Sequence, residues 1–254
     1  MNDLIIHIPH ASAHIPSRKG FQISDKHIQH EILKLTDWYT DDLFGYDKSY
    51  LDDGLKLHHV KAEWSRIFCD VERFADDNEE VMAQYGMGVL YETTDDGNIM
   101  RHVNPEFREK VLSEYYDPHH RKLEAIVDNH IQSYGNAKII DAHSFPDNPL
   151  NRDLNQKQPR PDFNIGIDPF HTPKPWIDYS QEYFEYLGYS LGIDWPYSGT
   201  IVPLKHYKKV QNVQSIMLEI NRKLYLKDST SLKSENYPKI KEVVLDFLTG
   251  FTNI

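Results

Sequence analysis

Disulfide bonds and long apolar runs are both missing from this sequence. Cys69 is the one cysteine, so no disulfide can form within the chain, which suits a reducing compartment. No stretch approaches the roughly 18 apolar residues of a membrane-spanning helix, and the N-terminus leads into a strand-like run without a signal-peptide core. We therefore expect a cytoplasmic protein without membrane association. Cys69 lies in the apolar run 66–71, which favours a buried, inert thiol over a nucleophile.

Positive charge is also scarce. The 254 residues include 28 Lys and Arg against 39 Asp and Glu, which gives a net charge of −11. This balance disfavours nucleic acid and anionic membranes as partners. A small anionic substrate is still compatible with it, because a local group of arginines can reverse the field inside a cleft.

Composition and patterning predict an α/β fold. Hydrophobic residues make up 39% and charged residues 26%, as in chains that form a packed core. Helical and strand patterns are interspersed without repeats or linkers, so we expect one domain over residues 1–254. Strands are predicted at 3–8, 57–60, 66–71, 138–144, 163–167 and 214–220, with a hairpin over 86–101 that turns at Asp96-Gly97. Helices are predicted at 25–44, 105–133 with an interruption at Pro118, 179–192 and 237–251.

Three of the predicted strands are followed by side chains that can carry chemistry. These runs and side chains are 4–8 with His10, 138–142 with His143, and 214–218 with Glu219. Ligands in open α/β sheets bind at the carboxyl ends of strands, so we expect the three side chains to meet in one cleft. A lone histidine after a strand is more often structural, so the prediction depends on all three together. We expect Asp141 to point to the opposite face from His143 and to act as support.

Two histidines and a carboxylate with one open position are a common hydrolytic zinc site. Zn²⁺ is therefore the expected cofactor, although another divalent metal would fit the same residues. Glu219 suits the general base that takes the proton of the attacking water. Spacing alone leaves three carboxylates open as the remaining ligand: Asp37, Asp70 and Glu63. It also leaves open the role of His120, which shares the inward face of its predicted helix.

Arginines next to the apolar strands are candidates for binding substrate carboxylates. A guanidinium matches a carboxylate bidentately, although ion pairs with the many acidic residues are the ordinary role of any single arginine. The candidate substrate-binding residues are Arg66, Arg73, Asn221 and Arg222. Two alternatives stay open: a non-haem iron oxygenase, which also uses two histidines and a carboxylate, and a non-catalytic ligand-binding protein.

Several segments together resemble the N-formylglutamate amidohydrolase family, over nearly the whole chain and in the same order. They are Ile8-Pro9-His10-Ala11-Ser12 with Ile15-Pro16, Asp37-Trp38-Tyr39-Thr40-Asp41, Ser65-Arg66 through Asp70 to Arg73, Tyr116-Asp117-Pro118-His119-His120, Asp141-Ala142-His143-Ser144, and Met217-Leu218-Glu219-Ile220-Asn221-Arg222. The chain departs from the family pattern at Ala11 and Ala13, and at Glu72, where the pattern has Asn.

The resemblance implies a three-layer phosphorylase/hydrolase-like fold, akin to zinc carboxypeptidases, with a mixed and mostly parallel sheet flanked by helices. By the same analogy His10 and His143 are metal ligands, Asp37 is the favoured carboxylate ligand and Glu219 is the base. The implied reaction is metal-dependent hydrolysis of the amide bond of a small, anionic N-acyl amino acid. In its simplest form it converts N-formyl-L-glutamate to formate and L-glutamate.

Overall fold

A six-stranded sheet forms the centre of the computed structural model, which describes residues 3–45, 55–252 and 254. The strands are β1 (Asp3–Ile8), β2 (Lys56–Lys61), β3 (Ala137–Phe145), β4 (Phe163–Gly166), β5 (Leu191–Ile193) and β6 (Val213–Asn221). Their order across the sheet is β2-β1-β3-β6-β4-β5. All neighbouring strands are parallel except β4 and β6, which are antiparallel. The predicted mixed, mostly parallel α/β sheet is therefore confirmed.

Helices cover both faces of this sheet. They are α1 (Asp25–Leu35), α2 (Thr40–Leu43), α3 (Pro105–Val111), α4 (Asp117–Tyr134), α5 (Lys174–Tyr186) and α6 (Tyr237–Phe251). On one face, Leu123 and Val127 of α4 pack with Ile5 and Ile139. On the other face, α5 and α6 supply much of the apolar layer, where Phe163 and Phe184 stack with ring centroids 4.2 Å apart. No helix among the described residues is long and apolar enough to cross a membrane.

Side-chain alternation in β3 and β6 places the polar groups of both strands on the α4 face. Ile140 and Ala142 face α5 and α6, so Asp141 and His143 lie together on the opposite face. The prediction that Asp141 points away from His143 is wrong, because residues two positions apart in a strand lie on the same side. The β3–β6 register places His143 directly beside Glu219.

The predicted helix 25–44 is interrupted. α1 ends at Leu35, Thr36 is its C-cap, and Tyr39 has a left-handed φ of 63° before α2 begins. The backbone N–H of Asp37 donates to the carbonyl of His10 at 3.0 Å instead of continuing the helix. The interruption therefore holds Asp37 beside the end of β1.

Other differences concern the segments before and after the central strands. The run 66–71 is a loop rather than a strand, and the stretch 86–101 has the Gly97 turn but only isolated bridges in place of a hairpin. A π-helical turn, Leu112–Tyr116, joins α3 to α4 without a break, and it lies directly before Pro118, whose nitrogen has no N–H to donate to the preceding turn. The predicted helix 179–192 is α5 followed by β5, whereas the predictions for β1, β4, β6 and α6 are confirmed.

Candidate metal centre and active-site cleft

His10, Asp37 and His143 come together at the carboxyl ends of the central strands. Each offers one ligand atom, and these atoms all lie within 4.8 Å of one another. All three residues are buried, and the rings of His10 and His143 have their centroids 5.0 Å apart. The structure thus brings together the three residues that the sequence nominated for a metal.

The His10 ring is anchored through one nitrogen and open at the other. Its Nε2 donates to Oδ1 of Asp70 at 2.7 Å, and because a carboxylate only accepts, the proton lies on Nε2. Its Nδ1 is buried, has no hydrogen-bond partner among the described residues, and lies 3.7 Å from Oδ2 of Asp37. An unpartnered buried lone pair is costly unless a proton or a cation occupies the space beside it.

The His143 ring is held in the same way. Its Nε2 lies 3.1 Å from Oδ1 of Asp141, and its Nδ1 lies 3.1 Å from Oδ2 of Asp37. Burial alone would lower the pKa of His143, but the charge and hydrogen bonds of Asp141 and Asp37 outweigh burial and raise it. Both rings therefore direct Nδ1 toward Asp37 and anchor Nε2 on a second carboxylate, the arrangement that orients histidines at metal centres.

Asp37 is fixed from several sides. Its Oδ1 accepts from the Arg222 guanidinium at 2.9 Å, and its Oδ2 accepts from the backbone N–H of Ser144 at 3.2 Å. Burial would raise the pKa of Asp37, but the neighbouring His10 and His143 rings and the charge of Arg222 outweigh burial and hold the pKa well below its usual range. Asp37 is therefore an ionised carboxylate aimed at the two imidazoles.

The other two carboxylates considered as the third metal ligand, Asp70 and Glu63, lie outside the cluster of ligand atoms. Asp70 lies behind His10, where its Oδ2 also accepts from Arg66 at 3.0 Å and from the Tyr91 hydroxyl at 2.7 Å. Burial would raise the pKa of Asp70, but the charges of His10 and Arg66 lower it well below its usual range. Glu63 has a side chain that is 71% exposed and pairs with Lys61, outside the cluster.

Glu219 stands beside His143 as a buried carboxyl group. It is 5% exposed, and its Oε2 has no hydrogen-bond partner in the part of the chain that the structure describes. Burial raises the pKa of Glu219 from 4.5 to about 8, and the nearby charges of His143 and Arg222 only partly offset this. A carboxyl group with a pKa near neutrality can both accept and return a proton.

These side chains line a cleft of about 560 Å³ together with Arg66 and Arg73. Arg66 donates to Asp70 and to Tyr91. Arg73 has a buried Nε that lies 3.6 Å from Oδ2 of Asp70 and has no hydrogen-bond partner within residues 3–45, 55–252 and 254. Both guanidinium groups thus give positive charge to a cleft in a strongly acidic chain.

The remaining predicted substrate-binding residues have structural partners. Arg222 lines the cleft, but its guanidinium donates to Asp37 and to the carbonyls of Lys34 and Ser144. Asn221 does not line the cleft. It is fully buried, and its amide donates to Asp147 and to the carbonyl of Pro161.

Sequence reasoning missed some cleft residues. Tyr91, which holds Asp70, lies in the stretch predicted as a hairpin, and nothing in its local pattern marked it. Tyr197 also lines the cleft, and its hydroxyl donates to Asp153 at 2.9 Å. Glu72 was noted only as a departure from a family pattern, although it lines the cleft as well. His120 lies outside this cleft and lines a neighbouring cavity.

The chain is an α/β protein with a mixed sheet and a polar crevice at the carboxyl ends of its strands, the place where ligands bind in open α/β sheets. Within that class, the sequence model of N-formylglutamate amidohydrolase matches residues 2–226, and the chain belongs to this family of amidohydrolases.

Solved structures with the same fold are only distantly similar in sequence. N-formylglutamate amidohydrolase from Ralstonia eutropha JMP134 superposes with a TM-score of 0.82 at 19% identity, covering 98% of this chain and 92% of that one. A gene product of Agrobacterium tumefaciens superposes with a TM-score of 0.64 at 16% identity, covering 98% and 91%. At these identities the likeness establishes the fold. A search of curated proteins gave no match.

Proposed function

We propose that the protein is a metal-dependent amidohydrolase that cleaves a small N-acyl amino acid, most simply N-formyl-L-glutamate to formate and L-glutamate. The observation that carries the proposal is the convergence of His10, Asp37 and His143 beside the buried carboxyl group of Glu219. Membership of the N-formylglutamate amidohydrolase family supports the same reaction.

The donor set fits a divalent metal ion. The unpartnered Nδ1 of His10, Nδ1 of His143 and Oδ2 of Asp37 would hold it, and two nitrogens with one carboxylate oxygen suit Zn²⁺ with an open position. When bound, the ion supplies a Lewis acid that polarises the scissile carbonyl and lowers the pKa of the attacking water. Asp70 and Asp141 keep the two rings in place by accepting from Nε2 of each.

Glu219 moves the proton in this reaction. Its carboxylate takes a proton from the water whose oxygen bonds to the acyl carbon. It then returns the proton to the amide nitrogen as the C–N bond breaks, so the leaving group departs as a neutral amine. The unpartnered Oε2 is the atom available for both transfers.

Arg66 and Arg73 bind the carboxylates of the substrate. A glutamate derivative carries two carboxylates, and the buried Nε of Arg73 has no other hydrogen-bond acceptor among the described residues. The Arg73 guanidinium pairs with Asp70 and Glu80 at 3.6 and 3.7 Å, which leaves its Nε–H available to donate to an incoming carboxylate.

Formate release from N-formyl-L-glutamate by zinc-supplemented protein tests the proposal. We expect Glu219→Gln to lower kcat by about 10²- to 10⁴-fold, the usual contribution of a general base. Glu63→Gln is the matched control, because Glu63 is exposed and pairs with Lys61 outside the cleft, and it should retain wild-type activity. Full activity in Glu219→Gln contradicts the assignment. Dioxygen consumption with bound iron would favour an oxygenase, and binding without turnover would favour a non-catalytic protein.

A further inference from the structure

A second cluster of histidine and carboxylate groups lies on the other side of the His143 ring. His7, Glu72 and Asp141 each offer a ligand atom, and these atoms lie within 4.8 Å of one another. Nδ1 of His7 is 2.9 Å from Oδ1 of Asp141 and 3.1 Å from Oε1 of Glu72. His7 and Asp141 are fully buried, and the Glu72 side chain is 18% exposed.

The cluster has more negative charge than its hydrogen bonds satisfy. Asp141 accepts from His7 and His143 through Oδ1 and from the backbone N–H of Ile201 through Oδ2. Oε1 of Glu72 is buried and lies 3.1 Å from Nδ1 of His7, but it has no hydrogen-bond partner among the residues that the structure describes. A single proton on His7 Nδ1 can serve only one of the two carboxylates. A divalent cation at the same place would be bound by both carboxylates and by the nitrogen.

His119 fixes the orientation of the His7 ring. The Nε2 atoms of the two rings are 2.8 Å apart, so one ring must donate to the other. Whichever ring donates, this contact holds Nε2 of His7 against His119 and directs Nδ1 of His7 at Glu72 and Asp141. His10 and His143 of the first centre have the same arrangement, with Nε2 anchored and Nδ1 facing a carboxylate.

An access route reaches this cluster. A cavity of about 200 Å³ is lined by Glu72, Asp141, Arg73 and His120, among others. Among the described residues, Nε2 of His120 has no hydrogen-bond partner. Three protein ligands leave at least one coordination position for water or a small ligand from this cavity.

We propose that His7, Glu72 and Asp141 bind a second divalent transition-metal ion, Zn²⁺ or Mn²⁺, next to the first centre. One nitrogen and two carboxylate oxygens suit both ions. The inference does not depend on the proposed hydrolysis, since it concerns only which side chains bind an ion.

Metal stoichiometry tests the proposal. Chelator-treated protein is equilibrated with buffered Zn²⁺, freed of unbound ion, and measured by mass spectrometry of the metal. We expect two equivalents in the wild type, one in Glu72→Gln, one in Asp37→Asn and two in the exposed control Glu63→Gln. Glu72 is partly exposed, so the isosteric amide leaves the fold intact, and a melting curve checks this.

Anomalous diffraction at the zinc edge locates the ions without any substitution. We expect one peak among His10, Asp37 and His143 and another among His7, Glu72 and Asp141. The second site is contradicted if the wild type binds one equivalent of Zn²⁺ and Glu72→Gln still binds it, or if the anomalous map lacks the second peak. Neither result contradicts the proposed function. Loss of metal in Glu72→Gln but not in Asp37→Asn supports the second site and contradicts the first centre.

Discussion

Replacing Glu219 by glutamine should stabilise the metal-free protein while it slows hydrolysis by the metal-loaded protein. The pKa of Glu219 is 4.5 in an unfolded chain and about 8 in the folded protein, because burial disfavours the carboxylate. Its contribution to stability is therefore complete below pH 4.5 and is lost as pH rises through 8. At about 1.4 kcal/mol per pH unit, the loss is about 3 kcal/mol at pH 7 and about 5 kcal/mol at pH 9.

Glutamine has nearly the same shape and stays neutral, so the variant does not incur this loss. Urea unfolding with a chelator present, at pH 5, 7 and 9, measures the difference in free energy of unfolding between the two proteins. We expect it to be below about 1 kcal/mol at pH 5 and to reach about 3 and about 5 kcal/mol at pH 7 and 9, in favour of the variant. The exposed control Glu63→Gln should change stability by less than about 0.5 kcal/mol at each pH. A difference that does not vary with pH, or a variant that is less stable throughout, would refute this reasoning about Glu219.

Two further variants separate the residues that hold the metal ligands from those that face the substrate. Asp70→Asn should weaken zinc affinity by about 10- to 100-fold, because His10 Nε2 loses a charged acceptor while every proposed ligand stays in place. Competition with a zinc-binding dye measures this affinity. An unchanged affinity would show that Asp70 does not orient His10. Arg73→Gln should raise KM for N-formyl-L-glutamate by about tenfold or more with little change in kcat, as expected for the loss of a charged contact that the ground state and transition state share. A KM that stays the same would remove Arg73 from the substrate site.

The positions of the candidate site residues that lie at the ends of strands could be predicted from the sequence. The runs before His10, His143 and Glu219 read as buried strands, and parallel strands bring their carboxyl ends to one edge. The β3–β6 register that sets His143 beside Glu219 is a direct consequence of this.

Asp37 was not predictable from spacing. Its position depends on the interruption of the predicted helix 25–44. The apolar pattern of that helix continues past Leu35 and does not indicate the interruption. The left-handed Tyr39 and the contact of the Asp37 N–H with the His10 carbonyl are tertiary effects. The resemblance nominated Asp37, and the structure places it between the two imidazoles.

The loop 66–71 shows why apolar runs can mislead. Ile67 and Phe68 are fully buried, as a strand pattern predicts, but the neighbouring backbone bonds to non-sheet partners. The backbone N–H of Ser65 donates to the His14 carbonyl, and the backbone N–H of Asp70 donates to the Val89 carbonyl. The apolar pattern therefore predicted correctly that these residues are buried, but it did not predict their backbone conformation. The extended loop is what brings Arg66, Asp70 and Arg73 to the cleft.

Metal removal tests the central claim most directly. Formate release from N-formyl-L-glutamate is measured before chelation, after removal of metal, and after Zn²⁺ is added back. We predict that activity disappears with the metal and returns with added Zn²⁺ in the wild type, and that it does not return in Asp37→Asn. Full hydrolysis by protein shown to contain no metal would contradict the assignment of His10, Asp37 and His143 as a metal centre.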